Sequence, residues 1–291
     1  MTDLVTGGHG FLGTHFCKLL DNPIAPHYRE FKSTNILKLL NMVDGRIYHL
    51  AADMGGIEYL DKKPFSIFSS NVEFGLNLFN LCRDYSVPEA IIVAGSVCEY
   101  PQSSFMREDN INSGDIVKET RGYGHAKRAL YNAGKMFEQE FHIRVLHTIF
   151  TNIYGPGQNP THVVAQLVRR FCDAKKNGDT VVDVWGNGEA TRDLLYVSDA
   201  ARLLKEAADK YYGDSINIAT GVETTIRELA ETIAWACDYT GKIHFDTSKL
   251  VGEKRRQISI TRMATCGMLP HIEVKEGIKK TVEAYMQKAK D

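Results

Sequence analysis

The sequence predicts an α/β fold: a doubly wound parallel sheet followed by a smaller, mixed α/β C-terminal unit. Three observations predict it. Short β-branched runs alternate with stretches of helical periodicity over residues 3–155. The first run passes through the glycine-rich turn "TGGHGFLG" (6–13) straight into a helix. After "YGPGQNP" (154–160) the alternation loosens, which sets a boundary near residue 158. Strands alternating with helices give a parallel sheet covered on both faces.

The elements follow in order. "DLVTGG" (3–8) reads as a strand, and residues 10–22 as a helix with Phe11, Leu12, Phe16, Leu19 and Leu20 on one face. "HYREF" (27–31) is a candidate second strand, and residues 33–43 a helix capped by Ser33. "RIYHLAA" (46–52) is a strand, residues 64–85 a helix and "EAIIVAGS" (89–96) a strand. Residues 101–120 are polar and loop-like, 124–142 a helix and 144–155 one strand. A long helix over 162–176 opens the second unit. The expected organisation is 1–158 and 159–291, with about 190–220 crossing back to the first sheet.

Bulk properties narrow the function. A 291-residue chain with 43% hydrophobic residues buries a sizeable core. A net charge of −1, evenly spread, argues against a nucleic-acid partner. Six scattered cysteines without a CxxC pair indicate free thiols in a reducing compartment. No apolar run reaches the roughly 20 residues of a membrane span, so no membrane partner and a cytoplasmic location are expected. No pattern calls for a metal.

Gly7, Gly10 and Gly13 recur every three residues between strand and helix. The first permits the tight turn, the second lets a pyrophosphate approach, and the third lets helix and sheet pack closely. The helix start at Phe11 and Leu12 then turns free N–H groups toward the phosphates. The expectation is a Rossmann-type site for a nicotinamide dinucleotide. Arg29, Glu30 and Lys32 lie where strand two would end. Two cations beside one carboxylate suit a 2′-phosphate, so NADP(H) is expected, with NAD(H) the alternative.

"VAGSVCEYP" (93–101) delivers Ser96, Cys98, Glu99 and Tyr100 from the end of a buried strand. In "YGHAK", Tyr123 and Lys127 stand four apart, on one helical face. An ammonium beside a phenol favours the phenolate and makes tyrosine a usable acid or base. Glu99 reads as structural or as a surface charge.

Over nearly its whole length the chain resembles an extended short-chain dehydrogenase/reductase. The resemblance rests on "TGGHGFLG", "HLAA", "NVEFGLNL", Ser96, Tyr123 with Lys127, "TNIYGPG", "RDLLYVSDAA" and "INIATG". It implies that Ser96 and Tyr123 hold a substrate oxygen, that Lys127 orients Tyr123 and the nicotinamide ribose, and that Ala51 and Ala52 line the cofactor. It also implies a homodimer through helices near 65–85 and 122–142.

Within the family, 4,6-dehydratases carry Asp-Glu directly after the serine or threonine. Here Val97 and Cys98 stand there, and Glu99 is displaced by one onto the opposite face of a strand. The pattern Ser-x-Cys-x-Tyr-Pro is similar to the GDP-L-fucose synthase branch, 3,5-epimerases/4-reductases, and to GDP-mannose 3,5-epimerase. Both use the cysteine for proton transfer beside a ketone. His162, in "NPTHVVAQLVRRF", matches the acid of the first branch, whereas "AADMGG" (51–56) looks more like the second.

The resemblance therefore implies a nucleotide-sugar substrate, GDP-linked, with Cys98 and His162 exchanging protons next to a 4-keto group. Asn152, Arg170, Trp185, Arg192 and Lys254 would hold the nucleotide, since arginine pairs bidentately with a diphosphate. Two alternatives stay open. One is an epimerase without net reduction. The other is a non-catalytic dinucleotide-sensing protein, against which the retained Tyr–Lys pair speaks.

Overall fold

The computed structural model describes residues 1–27, 39–85, 88–102, 105–248, 255 and 257–288. Its strands, in chain order, are β1 (Leu4–Thr6), β2 (Ile47–His49), β3 (Ala90–Ser96), β4 (Phe105–Met106), β5 (Arg144–Phe150), β6 (Asn152–Tyr154), β7 (Val181–Trp185), β8 (Thr191–Arg192), β9 (Leu194–Tyr196), β10 (Ser215–Ile218), β11 (Thr224–Thr225), β12 (Lys242–Asp246) and β13 (Gln257–Ile258). A parallel five-stranded sheet runs β1-β2-β3-β5-β10. Every residue of β1, β2, β3 and β10 is buried, as apolar β-branched runs covered on both faces require.

One face packs Phe16, Tyr48, Ile92 and Leu146 against Leu203, Leu204 and Ala207 of the Val197–Lys210 helix. The other packs Ile47, Ile91 and Val145 against Leu78 and Leu130. Those two leucines come from the Pro64–Tyr85 and Arg121–Phe141 helices. Proline at the first position suits the first of these, because its missing N–H would be unpaired there anyway. The second ends on His142, left-handed at φ 57°, whose N–H returns to Glu138 O. A separate core gathers Val164, Leu167 and Phe171 with Leu229, Ile233, Ile278 and Val282.

Several expectations need correction. Residues 28–38 lie outside the described residues, so most of the 27–31 strand and the start of the 33–43 helix do too. Among the described residues, Ile24 pairs with the other side of β1: Val5 N–H donates to Ile24 O (2.8 Å) and Ile24 N–H to Asp3 O (2.8 Å). The first helix ends at Phe16 and tightens to a 3₁₀ turn over Cys17–Leu19. The expected strand 144–155 is two strands. It breaks at Thr151, whose N–H bonds Ile218 O and whose hydroxyl bonds Asp193 O (2.9 Å), and β6 leaves to pair with β9. The 101–120 loop holds β4 and two 3₁₀ turns. Among the described residues no helix is long and apolar enough to cross a membrane.

Candidate active site

The strand order reverses at β1, with Ile24 pairing parallel on one side and β2 parallel on the other. In an open α/β sheet the crevice at such a reversal is where a ligand sits. Gly7 occupies it at φ +75°, and a Cβ there would stand 2.6 Å from Ala51 N. A Cβ on Gly13 would fall 2.0 Å from Gly7 O, so turn, helix and the "HLAA" strand end close on one another. No side chain caps the Phe11–Phe16 helix at Gly10, which leaves its first N–H groups, at Phe11 and Leu12, for an anion. A cavity of about 270 Å³ opens here between Gly7, Ala51, Pro26 and Phe74. These residues fit a dinucleotide: bare backbone where phosphates approach, and apolar walls beside it.

His9 and His27 line the same cavity with their rings stacked at 3.8 Å, and His9 Nε2–H donates to Ala25 O (2.9 Å). The sequence reading gave them no role. The available signal was an imidazole inside a glycine turn. Arg29 lies outside the described residues.

The reactive side chains gather at the end of β3. Ser96 turns the strand into a 3₁₀ turn, Val97–Glu99, and its Oγ accepts the Cys98 N–H (3.3 Å). Cys98 packs with Leu60, Ile67 and Tyr123, and with Tyr59 at the edge. A Cβ on Gly124 would stand 2.2 Å from Cys98 O, so the helix carrying Tyr123 rests on the turn carrying the thiol. Lys127 is 1% exposed; its Nζ donates to Ala94 O (2.7 Å) and lies 5.5 Å from the Tyr123 ring centroid. Ser96, Cys98, Tyr123 and Lys127 thus share one buried corner.

Electrostatics there differ from the sequence expectation. Burial pushes the Tyr123 phenol well above its ordinary range, with Cys98 and Glu99 adding to the rise. The ammonium is aimed at a carbonyl, and it does not draw the phenol toward ionisation. The Tyr123 phenol is therefore neutral. Burial pushes Lys127 down to about 8, and Glu99 opposes that fall. Glu99 itself is neither on a strand nor on the surface: it sits in the 3₁₀ turn with 0% exposure.

The Asp53–Gly56 loop touches both this corner and the second unit. Asn71 accepts the Asp53 N–H and donates back to Asp53 O, each at 3.0 Å, and Tyr59 and Ser70 hydroxyls hold the Asp53 carboxylate. A Cβ on Gly56 would stand 2.7 Å from Thr161 O, beside His162. His162 occupies the N-cap of the Val163–Asn177 helix, yet its imidazole makes no capping bond. Partial burial holds that ring below its usual range, hence neutral near pH 7. Ala52 lies at the start of the same loop.

In the second unit Arg170 and Trp185 come together. The guanidinium is 5.5 Å from the indole and donates to Asp183 O (3.0 Å). Asn152 Nδ2 donates to Asp193 O (3.1 Å), and Arg192 Nη1 to Thr191 O (2.6 Å). Lys254 lies outside the described residues, whereas Arg255 is paired with Glu223. Asp193, to which the sequence reading gave no role, accepts the N–H groups of Thr220 and Gly221 and ties "TRD" to the loop after β10. Burial raises its carboxyl to about 6.

A doubly wound sheet with a glycine-lined crevice at its reversal point and a Ser–Tyr–Lys corner beside it is the arrangement of a nicotinamide-dependent enzyme. Residues 4–219 match the NAD dependent epimerase/dehydratase family. GDP-L-fucose synthase 1 of Arabidopsis thaliana is 29% identical over 244 residues, 81% of this chain and 75% of its own. GDP-L-fucose synthase of Escherichia coli (strain K12) is 29% identical over 258 residues, 83% and 80%. Among solved structures, a GDP-L-fucose synthetase from Naegleria fowleri bound to NADP superposes with TM-score 0.88 at 24% identity, covering 99% of this chain and 93% of that one. A GDP-mannoheptose C4 reductase from Campylobacter jejuni reaches 0.89 at 20%, covering 98% of each. The chain belongs to the NAD-dependent epimerase/dehydratase family. It is an enzyme, and its cofactor is a nicotinamide dinucleotide.

Proposed function

We propose that the protein is a 3,5-epimerase/4-reductase of a GDP-linked 4-keto-6-deoxy hexose that uses NADPH. The observation that carries this reading is the packing of Cys98 against Tyr123 in one buried cluster beside Ser96. A reductase needs only the Ser–Tyr–Lys set. A thiol in that cluster suits proton transfer at the carbons next to the ketone. The names of the relatives, GDP-L-fucose synthases, support both the sugar class and the nucleotide.

Ser96 and Tyr123 bind and polarise the C4 carbonyl, which acidifies the C3 and C5 hydrogens. Cys98 and His162 remove and return those protons through an enediolate. Inversion needs donor and acceptor on opposite faces of the ring. NADPH, when bound, supplies a hydride to C4. The neutral Tyr123 phenol gives the carbonyl oxygen its proton, and Lys127 orients the ribose. Gly7, Gly10, Phe11, Leu12, Gly13, Ala51 and Ala52 hold the dinucleotide. Asn152, Arg170, Trp185 and Arg192 grip the GDP moiety, with the Arg170–Trp185 pair a platform for base or diphosphate.

The test is incubation with NADPH and GDP-4-keto-6-deoxy-mannose in D₂O. The expected result is one NADPH consumed per product, with deuterium at C3 and C5. Deuterium incorporation without NADPH consumption would assign an epimerase instead, and neither would return the protein to dinucleotide binding alone.

A further inference from the structure

Beneath the Ser96 turn lies a couple that the mechanism above does not use. Glu99 (0% exposed) and His147 (2%) are both buried, and His147 Nε2–H donates to Glu99 at 2.9 and 3.1 Å. The same carboxylate accepts the Ser96 N–H (3.3 Å) and completes a capping box with the Ser96 hydroxyl. The molecule contains a second capping box for comparison: Thr225 with Glu228, whose carboxylate is exposed and needs no further donor. Capping therefore does not require burying the acid. Room for the couple is specific, since a Cβ on Gly95 would stand 2.4 Å from His147 Nε2 and 2.6 Å from Glu99 Oε1.

The charge can be located from the hydrogen bonds. His147 Nδ1 is buried and has no hydrogen-bond partner. An imidazolium would bury an unmatched N–H donor there, whereas an Nε2–H tautomer leaves only a lone pair. His147 is therefore not the cation that faces Glu99. Two cations lie nearby. Arg128 is turned to the Glu99 backbone carbonyl rather than to its carboxylate. The buried Lys127 Nζ bonds Ala94 O, and the Glu99 carboxylate lies against Gly95, the next residue of the same strand, so ammonium and carboxylate flank one peptide. Glu99 accordingly opposes the loss of the Lys127 proton. The other titratable or charged groups facing the couple are Tyr131 (5.3 Å from the His147 ring, bonded to Asp214), Tyr123, Cys98, Tyr100 and Arg128, which donates to the Glu99 carbonyl at 2.6 Å. His49 also feels the Lys127 charge.

We propose that Glu99, braced by His147, is a positioning residue: its buried carboxylate is the countercharge that keeps Lys127 protonated, and it locks the turn that presents Ser96 and Cys98. The inference rests on the reading of Lys127 as catalytic.

The test uses the cofactor-free protein labelled with ¹³C-lysine, following the Lys127 ε-carbon through pH 6–10. In Glu99→Gln the titration midpoint is expected to fall by about one pH unit, and in Glu99→Asp, which keeps the charge, to stay within about half a unit. If Glu99→Gln alone does not fold, Glu99→Gln with His147→Gln fills the cavity with a bonded amide pair and should show the same fall. From a midpoint of about 8, that shift lowers kcat at pH 8 about fivefold and leaves pH 6 unchanged. An unmoved midpoint in a folded neutral variant overturns the proposal. Full turnover in Lys127→Met would instead remove the reading on which it rests.

Discussion

Lys127 Nζ stands 5.5 Å from the centre of the Tyr123 ring and is bonded to Ala94 O rather than to the phenol. The lysine thus braces β3 against the helix that carries Tyr123. Tyr123→Phe removes the proton donor and is expected to slow NADPH oxidation by roughly 10²–10⁴-fold. Lys127→Met keeps the phenol and is expected to cost less, roughly 10–10²-fold. Single-turnover NADPH absorbance decides the order. A Tyr123→Phe variant at full speed would place the proton donor elsewhere.

Cys98 and hydride transfer should separate. Cys98→Ser keeps the size and the backbone bond to Ser96 Oγ. Deuterium incorporation at C3 and C5 is expected to drop at least about 10²-fold, while NADPH affinity stays within about twofold because the crevice at Gly7 is untouched. Mass spectrometry of recovered substrate measures the first and fluorescence titration the second. Undiminished incorporation would remove the thiol from the chemistry.

The split between what sequence showed and what it hid is physical. Periodicity located two long helices, read at 64–85 and 124–142 and observed at Pro64–Tyr85 and Arg121–Phe141, because each has one face against a sheet. The glycine spacing located the crevice because backbone approach dictates it. Burial of Glu99 was not legible: its partner His147 lies 48 positions away on β5, and no local pattern announces a long-range pair. The break at Thr151 was hidden for the same reason, since Asp193 and Ile218 draw the strand apart. The neutral state of Tyr123 also depends on burial, which a four-residue spacing cannot report.

Asn71 fastens the Asp53–Gly56 loop that follows Ala51 and Ala52. Its amide meets both backbone groups of Asp53, and also Ile67 O at 2.7 Å. Asn71→Ala leaves these groups without partners and is expected to cost about 2–3 kcal/mol. NADPH affinity should fall too, because Ala51 and Ala52 lead into the same loop. Urea unfolding with and without NADPH checks both. Equal loss of stability with unchanged affinity would confine Asn71 to folding.

Two adjacent helices leave large apolar groups in solvent: Phe65 (79% exposed), Leu76 and Met136 (62%). Beside Phe65 and Phe68 lies an open hollow of about 610 Å³. If these faces meet in a homodimer, Phe65→Glu sits at an apolar anchor and should weaken association by about 2 kcal/mol or more. Light scattering after size exclusion reads the mass, with a concentration-dependent monomer expected for the variant. A wild-type monomer at micromolar concentration would discard this interface.

His49 sets an acid limit on stability. It is 1% exposed, its Nδ1 is 2.8 Å from Thr6 Oγ1, and burial, with the nearby Lys127 ammonium, pushes its pKa from 6.5 down to about 3. The unfolded chain binds this proton more readily than the folded one. The contribution is therefore complete above pH 6.5 and is lost as pH falls toward 3. Between pH 6.5 and 5 the loss should be about 2 kcal/mol. His49→Asn removes the titration, so its unfolding free energy should fall less steeply over that interval, even if it starts lower at pH 7. Parallel slopes for the two proteins would show that the imidazole is protonated without unfolding, and that the β2 strand end opens to admit the charge.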